Sequence, residues 1–323
     1  MLRKISAILV STLLAAGIII FMLLRVWDDL LIALDHIVWG YLVVAIGVCI
    51  ASWLLRGLRY NIILSGIGIH ASTLFATGCI FISQTVNLIV PARLGDLVRV
   101  FILKHEYGAT ISQGISSIVV ERVFDIVMIA LLGAVSLLFV FNVPDWFYGL
   151  ILLPLILGTV FFIFLAVSGR FVSKNRYIGI LLTMLDQIRQ VSLSVRSLLA
   201  LSGSSIVIWL LDVVVCLFVA LMFGESIPFA VIVLAIVVGN LVKAVPLTPG
   251  GVGTYELAVA LTFTAAGVAP AIATLIAVVD HLLKNLVTLA GGVISISIFG
   301  TWVLDTMKTA FRKEVRDDER PGV

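Results

Sequence analysis

The chain has 323 residues, of which 62% are hydrophobic and 12% are charged, and its mean hydropathy is +1.24. Because a soluble domain carries about 25% charged residues, this composition excludes a soluble globular protein and predicts a polytopic membrane protein. The net charge of +3 says little as a sum, whereas the placement of the basic residues indicates topology. Since no polar stretch is long enough for a soluble domain, we expect residues 1–323 to form a single membrane domain.

Six apolar segments are long enough to cross a bilayer, which requires about 20 residues. The predicted spans are residues 5–26, 37–55, 111–141, 147–167, 204–223 and 271–299. The first follows Arg3 and Lys4 and is not followed by a clear small-residue cleavage site. We therefore interpret it as an uncleaved first transmembrane helix and not as a signal peptide.

Two further apolar regions, residues 71–103 and 229–266, are each interrupted near the middle. The first break reads V-P-A-R-L-G-D at residues 90–96, and the second reads V-P-L-T-P-G-G at residues 245–251. An offset of 155 residues aligns Pro91 with Pro246 and Gly95 with Gly250, and it also aligns Asp125 with Asp280. Paired interruptions of this kind are typical of the substrate sites of transporters built from repeats.

The basic residues predict how the two interrupted regions cross the membrane, because lysine and arginine collect on the cytoplasmic side. Every basic cluster falls inside only if both regions are hairpins that enter and leave on one face. We therefore predict an all-α integral membrane fold with about six spanning helices and two broken, re-entrant hairpins of opposite orientation. Residues 37–168 and 204–300 would be inverted repeats. The alternative is a plain bundle in which proline and glycine make ordinary kinks.

The polar segments complete this topology. Residues 171–201 are amphipathic and predict a helix on the cytoplasmic surface that links the two halves. Residues 305–323 predict a cytoplasmic tail, so both termini would be cytoplasmic.

The first break combines a chain interruption with fixed charge. Pro91 disfavours a helical conformation at the residue before it, and Gly95 permits a turn. A half-helix that starts near Asp96 would point free N–H groups at the gap, where Arg93 and Arg99 add positive charge. This pattern favours an anionic head group such as a phosphate. Alternatively, Arg93 pairs with Asp96, or the basic side chains reach lipid phosphates.

The second break places two prolines and three glycines within residues 246–253, a pattern that cannot continue a helix. Gly250 and Gly251 are candidate ligand contacts because glycine allows close approach to the backbone. Thr254 is the predicted N-cap of the next helix, with Glu256 in its first turn. Alternatively, the glycines form only the tip of the hairpin.

The helix after each break carries charge in its apolar middle. Glu121 and Asp125 share a face, and Arg122 reaches Asp125 at i+3, while Asp280 and Lys284 are spaced i, i+4. Each charge at the bilayer centre costs about 2.5–3.5 kcal/mol on insertion scales, so these groups must pair or line water. They are candidate substrate-path residues, and purely structural ion pairs are the alternative.

Three ordered motifs read N-L-I-V-P-A-R-L-G-D-L-V-R at residues 87–99, E-R-V-F-D at residues 121–125 and T-P-G-G-V-G-T-Y-E at residues 248–256. Together they resemble the lysylphosphatidylglycerol synthase transmembrane family, also called the flippase-like domain family. The resemblance covers nearly the whole chain and implies a multi-pass protein of a prokaryotic cytoplasmic membrane. It also implies lipid transport: some relatives carry a synthase domain that makes an aminoacylated phospholipid, and others sit beside glycosyltransferases that use polyprenyl-phosphate lipids.

The expected function is therefore a lipid translocase for a phospholipid, an aminoacyl-phospholipid or a polyprenyl-phosphate glycolipid. Arg93 and Arg99 would hold a phosphate, and the other intramembrane charges would line the path. Because no P-loop is present, we expect transport without ATP hydrolysis.

The sequence gives little support for an enzyme. The four histidines and three cysteines show no metal-ligand spacing, and no serine or cysteine belongs to a nucleophile motif. We expect no catalytic residue, metal or cofactor, and no nucleic-acid partner. The alternatives are an integral membrane enzyme, or an accessory subunit that acts with a lipid-modifying synthase or glycosyltransferase.

Overall fold

In the computed structural model, residues 2–25, 27, 37–90, 92–140, 143–168, 176–300 and 302–303 are described. Regular structure in these segments is helical throughout, with eleven α-helices and one 3-10 turn and no strand, which confirms the all-α prediction. Pro91, the first part of the predicted amphipathic segment (171–175) and the predicted tail (305–323) lie outside the described residues.

The helices are α1 (Leu2–Arg25), α2 (Trp39–Gly66), α3 (Thr73–Ile89), α4 (Gly95–Tyr107), α5 (Ile111–Ser136), α6 (Trp146–Ser168), α7 (Arg176–Ser192), α8 (Val195–Met222), α9 (Phe229–Ala244), α10 (Thr254–Ala265) and α11 (Pro270–Phe299), with the 3-10 turn at Pro249–Gly251.

Four helices of the described chain are long and apolar enough to cross a membrane, judged by length and composition. They are α2, α6, α8 and α11, and they coincide with four of the six predicted spans. The other two predicted spans are helical as well, as α1 and α5. The number of six spans remains a prediction.

Both predicted interruptions separate two short helices: α3 from α4, and α9 from α10. In the first break, Ala92 and Arg93 have positive φ values of 63° and 54°, a left-handed conformation that costs about 1–2 kcal/mol for residues with a Cβ. In the second break, three glycines take the positive φ values instead. The N-cap of α10 is Gly253 and not the predicted Thr254, because the chain is still left-handed at Gly253, with φ of 85°.

The predicted surface helix 171–201 is shorter in the structure. Helix α7 ends at Ser192, and residues 195–201 form the start of α8, whose N-cap Ser194 accepts a hydrogen bond from the backbone N–H of Ser197 at 3.1 Å. Because a serine N-cap favours the start of a new helix, Ser194 divides the amphipathic segment into two helices. Helix α7 packs against α5 through a 2.9 Å hydrogen bond from Ser116 to Gln187.

The order and length of the helices recur along the chain. Helices α2, α3, α4 and α5 have 28, 17, 13 and 26 residues, and α8, α9, α10 and α11 have 28, 16, 12 and 30. The packing recurs as well, since α2 lies along α8, α3 packs on α11 and α9 packs on α5. Each set of four builds most of one apolar cluster, around Ile63 and Ile80 in the first and around Val219 and Leu234 in the second. The two breaks face each other between these clusters.

Candidate functional site

A cavity lies where the two breaks meet. Its empty volume is about 1110 Å³, counting the part that is open to the outside, and its wall contains residues of both breaks together with α2, α5, α8 and α11. The first break also contacts the end of α9, just before the second break, because the Arg93 guanidinium donates a hydrogen bond to the backbone oxygen of Lys243 at 3.2 Å. The fold therefore brings the two predicted breaks together at one cavity.

Gly250 shows why the second break needs glycine. Its φ is 62°, and a Cβ at this position would lie 2.7 Å from the Cδ2 of Leu88, which belongs to α3. A side chain at Gly250 would therefore strain the backbone and push against the helix that leads into the first break. The neighbouring Gly251, with φ of 77°, fits against the aliphatic stem of Lys243 in the same way.

The charged side chains of the first half are paired with one another around Arg99. This side chain is fully buried; its guanidinium pairs with Glu121 on α5 and lies 3.4 Å from Asp96. The ring of Tyr60 lies beneath the guanidinium at 4.8 Å. Arg99 does not appear in the described wall of the cavity, so the pairing leaves it little opportunity to bind a substrate phosphate.

Asp125 pairs with a residue that the sequence did not indicate. Arg122 was predicted to reach it along the helix, but the partner is Arg59 of α2, which is 1% exposed and makes two hydrogen bonds to the Asp125 carboxylate. Arg122 turns the other way and donates to Asp96 at 3.1 and 3.2 Å. Ser83 and Asn87 of α3 donate to the same carboxylate.

The charges of the second half are centred on α11. Lys284 lies 2.9 Å from Asp280, as predicted for an i, i+4 pair, and 3.3 Å from Asp212 of α8. The hydroxyl of Tyr255 donates to Asp280 at 2.8 Å. Asp212 also lies 3.6 Å from Arg56 of α2, so this ion pair crosses between the two long helices that pack against each other.

A second chain of contacts runs from Glu256 to Lys243. One carboxylate oxygen of Glu256 accepts the N–H of Gly253 at 2.7 Å, and the other lies 2.8 Å from Nδ1 of His281. Nε2 of His281 is 2.9 Å from the Lys243 ammonium. The predicted cost of burying Glu256 is offset by these contacts, which join the second break to α11.

Two cations of the cavity wall have no carboxylate partner within the part of the chain that the structure describes. Among the described residues, neither Arg93 nor Lys243 has a carboxylate oxygen within 4.0 Å, the limit for an ion pair. Across both networks, seven cations face six carboxylates. The cations are Arg56, Arg59, Arg93, Arg99, Arg122, Lys243 and Lys284, and the carboxylates are Asp96, Glu121, Asp125, Asp212, Glu256 and Asp280. The excess positive charge lies where the two breaks meet, an arrangement that suits an anion.

The structure divides the predicted site residues into two sets. Those in the wall of the cavity are Arg93, Glu121, Arg122, Gly250, Gly251 and Lys284. Those behind the wall, in the networks described above, are Asp96, Arg99, Asp125, Glu256 and Asp280. Their role in substrate binding stays a prediction.

Sequence reasoning did not place Arg56, Arg59 or Asp212 in the site. The signal for Asp212 was available, because an acid in the middle of an apolar helix is expensive unless it has a partner. Arg56 and Arg59 belong to the basic clusters that we assigned to the cytoplasmic side, but they lie inside α2 and are paired within the membrane domain. Trp53 and Trp209, with ring centroids 5.5 and 5.2 Å from the Arg56 guanidinium carbon, were also missed.

The sequence of the chain matches a known protein family. Residues 8–292 match the family described as the lysylphosphatidylglycerol synthase TM region. The protein named glycosyltransferase AglD, from Haloferax volcanii, is 34% identical over 322 residues, which cover 84% of this chain and 50% of AglD. UPF0104 membrane protein MJ1078 from Methanocaldococcus jannaschii is 32% identical over 181 residues, which cover 54% of this chain and 76% of that protein.

A UPF0104 membrane protein from Methanothermobacter thermautotrophicus is 22% identical over 279 residues, which cover 77% of this chain and 82% of that protein. The chain thus spans most of the UPF0104 relatives but only about half the length of AglD. The family match takes in both breaks and every charged residue of the two networks. The protein is therefore a membrane protein of the lysylphosphatidylglycerol synthase TM family.

Proposed function

We propose that the protein is a lipid translocase that moves the phosphate-bearing head group of a lipid through the cavity between the two breaks. The observation that carries the proposal is that Arg93 and Lys243 both line the cavity and have no carboxylate partner among the described residues. The Arg93 guanidinium donates instead to the backbone oxygen of Lys243 at 3.2 Å. A lipid phosphate would supply the missing negative charge. The candidate substrates are a phospholipid, an aminoacyl-phospholipid and a polyprenyl-phosphate glycolipid, moved without ATP hydrolysis by this chain.

We further propose that the two sets of four helices are inverted repeats, with about six spans and two broken hairpins of opposite orientation. The recurring helix lengths and the reciprocal packing of α3 on α11 and α9 on α5 support this. The placement of basic residues supports cytoplasmic termini in the cytoplasmic membrane of a prokaryote.

The test measures bilayer crossing of fluorescent lipids in liposomes that contain the purified protein. Arg93→Ala and Lys243→Ala are each expected to slow crossing about 10-fold or more, because a hydrogen bond to a charged group contributes about 1.5–3 kcal/mol. The matched controls are Arg196→Ala and Lys104→Ala, which change exposed residues outside the cavity wall and should leave the rate unchanged. Equal rates with and without protein, for anionic, aminoacylated and polyprenyl-phosphate lipids alike, would contradict the proposal.

A second candidate function is that of an integral membrane enzyme or an accessory subunit for a lipid-modifying synthase or glycosyltransferase. The observation that favours it is the name of AglD, of which this chain matches about half. We propose that the chain itself is not an enzyme, since the candidate site consists of ion pairs and cations without a recognised nucleophile motif. A lipid whose mass changes when incubated with the purified protein would favour the enzyme instead.

A further inference from the structure

A second space adjoins the main cavity, between α5 and α9. Its empty volume is about 740 Å³, again counting the part that is open to the outside. Four side chains line both spaces: Arg93, Arg122, Trp209 and Asn240. The second space therefore begins at the cation that the proposed function assigns to the phosphate.

The wall of this space, which we call the α5/α9 crevice, is charged in one part and apolar in another. Its charged residues are Arg93, Asp96, Arg122 and Asp125, which are paired as described above except for Arg93, and its apolar residues are Ile126, Ile129, Leu241 and Ala244. Ile126 is 36% exposed on α5, where the surroundings of an exposed apolar side chain in a membrane domain are hydrocarbon. The crevice thus connects a polar site inside the protein with an apolar exterior, which is the chemistry of a molecule with a charged head and a hydrocarbon chain.

The equivalent contact between α3 and α11 is closed. The Thr85 hydroxyl donates to the backbone oxygen of Thr288 at 3.1 Å. Gly291 and Gly292 of α11 pack so tightly against Phe81 and Thr85 of α3 that a Cβ at either glycine would overlap them. On the other side, α5 and α9 have one such glycine contact, Gly133 against Val237, and the crevice lies beyond it, around Ile129 and Leu241. The two contacts between the halves, which we call the α3/α11 seam and the α5/α9 seam, therefore differ. The α5/α9 seam holds a second space beside the cavity, whereas the α3/α11 seam is tightly packed where Thr85 meets Thr288, at the wall of the main cavity.

We propose that the α5/α9 crevice holds the hydrocarbon chain of an anionic lipid while Arg93 and Lys243 bind its phosphate in the main cavity. The inference rests on the proposed function and adds the position of the chain. The head group then enters sideways between α5 and α9, and the chain lies along the apolar part of the crevice wall, formed by Ile126, Ile129, Leu241 and Ala244. Burial of a chain favours binding by about 0.8 kcal/mol for each methylene removed from water, so the crevice adds affinity as well as a route.

The test compares phosphates with and without a chain, by calorimetric titration of the protein in nanodiscs of uncharged lipid. The chain-bearing probes are oleoyl lysophosphatidic acid and farnesyl phosphate, which distinguish an acyl from an isoprenoid chain, and the chain-free probe is glycerol 3-phosphate. Ala244→Trp fills the crevice and is expected to weaken binding of a chain-bearing probe about 10-fold, with no change for glycerol 3-phosphate. The matched control is Ala166→Trp, on an exposed position of α6.

The outcomes separate the two proposals. If Arg93→Ala leaves the affinity for all three probes unchanged, the proposed function fails. If Arg93→Ala weakens all three but Ala244→Trp leaves the chain-bearing probes unaffected, the crevice proposal alone is overturned. Should Ala244→Trp weaken all three equally, Ile126→Trp decides, with Ile163→Trp as its exposed control. Unchanged binding of the chain-bearing probes to Ile126→Trp then overturns the crevice proposal.

Discussion

The two halves of the molecule share a sequence of helices but satisfy their buried charges differently. In the first half, Arg59 and Arg99 bind Asp125 and Glu121 directly, and each arginine is at most 1% exposed. In the second half, Asp280 is bound by a lysine and a tyrosine, and Glu256 is joined to His281. The first half thus relies on arginines, whereas the second half uses a lysine, a tyrosine and a histidine.

The difference in charge partners indicates that the two halves differ in rigidity. Arginine forms planar, two-pronged pairs and does not lose its proton, so the first network fixes α4 and α5 against α2. A lysine can reposition its three donors around a flexible stem, and a histidine can accept or donate a proton, so the second network can rearrange with less disruption. We infer that the first half is the rigid side of the cavity and that the second half is the side that adjusts to a ligand.

Breaking an arginine pair should have the largest effect on stability. Arg99→Leu leaves Glu121 buried without its partner, and removal of one member of a buried pair costs about 3–5 kcal/mol. Arg93→Leu removes a cation that has no carboxylate partner among the described residues, so its cost should be about 1 kcal/mol, the value of one hydrogen bond. The midpoint of SDS-induced unfolding of the purified protein measures both.

The double variant Arg99→Leu with Glu121→Leu is the control for this comparison. It removes both charges, so it should recover a large part of the lost stability. If Arg93→Leu destabilises the protein as much as Arg99→Leu does, the distinction between an arginine in a buried ion pair and an arginine bound only to a backbone oxygen is wrong.

The glycines of the two breaks should also differ. A Cβ at Gly95 would collide with the backbone oxygen of Ser83, whereas a Cβ at Gly250 would meet only the end of the Leu88 side chain. Backbone cannot move aside as a side chain can, so we expect Gly95→Ala to cost about 3 kcal/mol and Gly250→Ala about 1–2 kcal/mol, mostly from its positive φ. Unfolding midpoints provide the values. Adding Leu88→Ala to Gly250→Ala should recover only the part of the lost stability that comes from the clash with Leu88. Equal losses of stability for Gly95→Ala and Gly250→Ala would contradict this reasoning.

The sequence was sufficient to predict the helical class and the position of both breaks. Composition determines the first, and the proline and glycine runs determine the second, because neither residue type continues a helix in these patterns. The i, i+4 pair of Asp280 and Lys284 was also predictable, since both partners lie on one helix. Each of these features depends on composition or on residues that are close together in the sequence.

The partners of the other charges could not be predicted in this way. Asp125 had a basic neighbour within reach on its own helix, yet Arg59, 66 residues away, binds it. The choice depends on how α2 packs against α5, and one sequence carries no direct information about that packing. That Arg93 and Lys243 have no carboxylate partner among the described residues could be recognised only after the partners of the other charges were known.

Glu256 tests the adjustable side of the cavity. Glu256→Gln keeps an acceptor for the N–H of Gly253 but removes the charge beside His281. A hydrogen bond to a charged group contributes about 1.5–3 kcal/mol, so we expect a loss of about 2 kcal/mol in stability and slower lipid crossing. Glu106→Gln, on an exposed residue at the end of α4, is the matched control. Unchanged crossing and stability would show that the chain from Glu256 to Lys243 has no role in the site.

The smallest expected effect tests the difference between the two seams. Thr85→Val keeps the shape of the side chain and removes its hydrogen bond to Thr288, which closes the α3/α11 seam. Such interhelical bonds in membrane proteins contribute about 0.6 kcal/mol on average, equivalent to a factor of about three in an equilibrium. If the α3/α11 seam must open during transport, the variant should speed lipid crossing by up to that factor in liposomes. Thr159→Val removes a bond within α6 and serves as the control.

A faster rate for Thr85→Val alone would mean that both seams open in turn, whereas an unchanged rate would assign lipid entry and exit to the α5/α9 crevice.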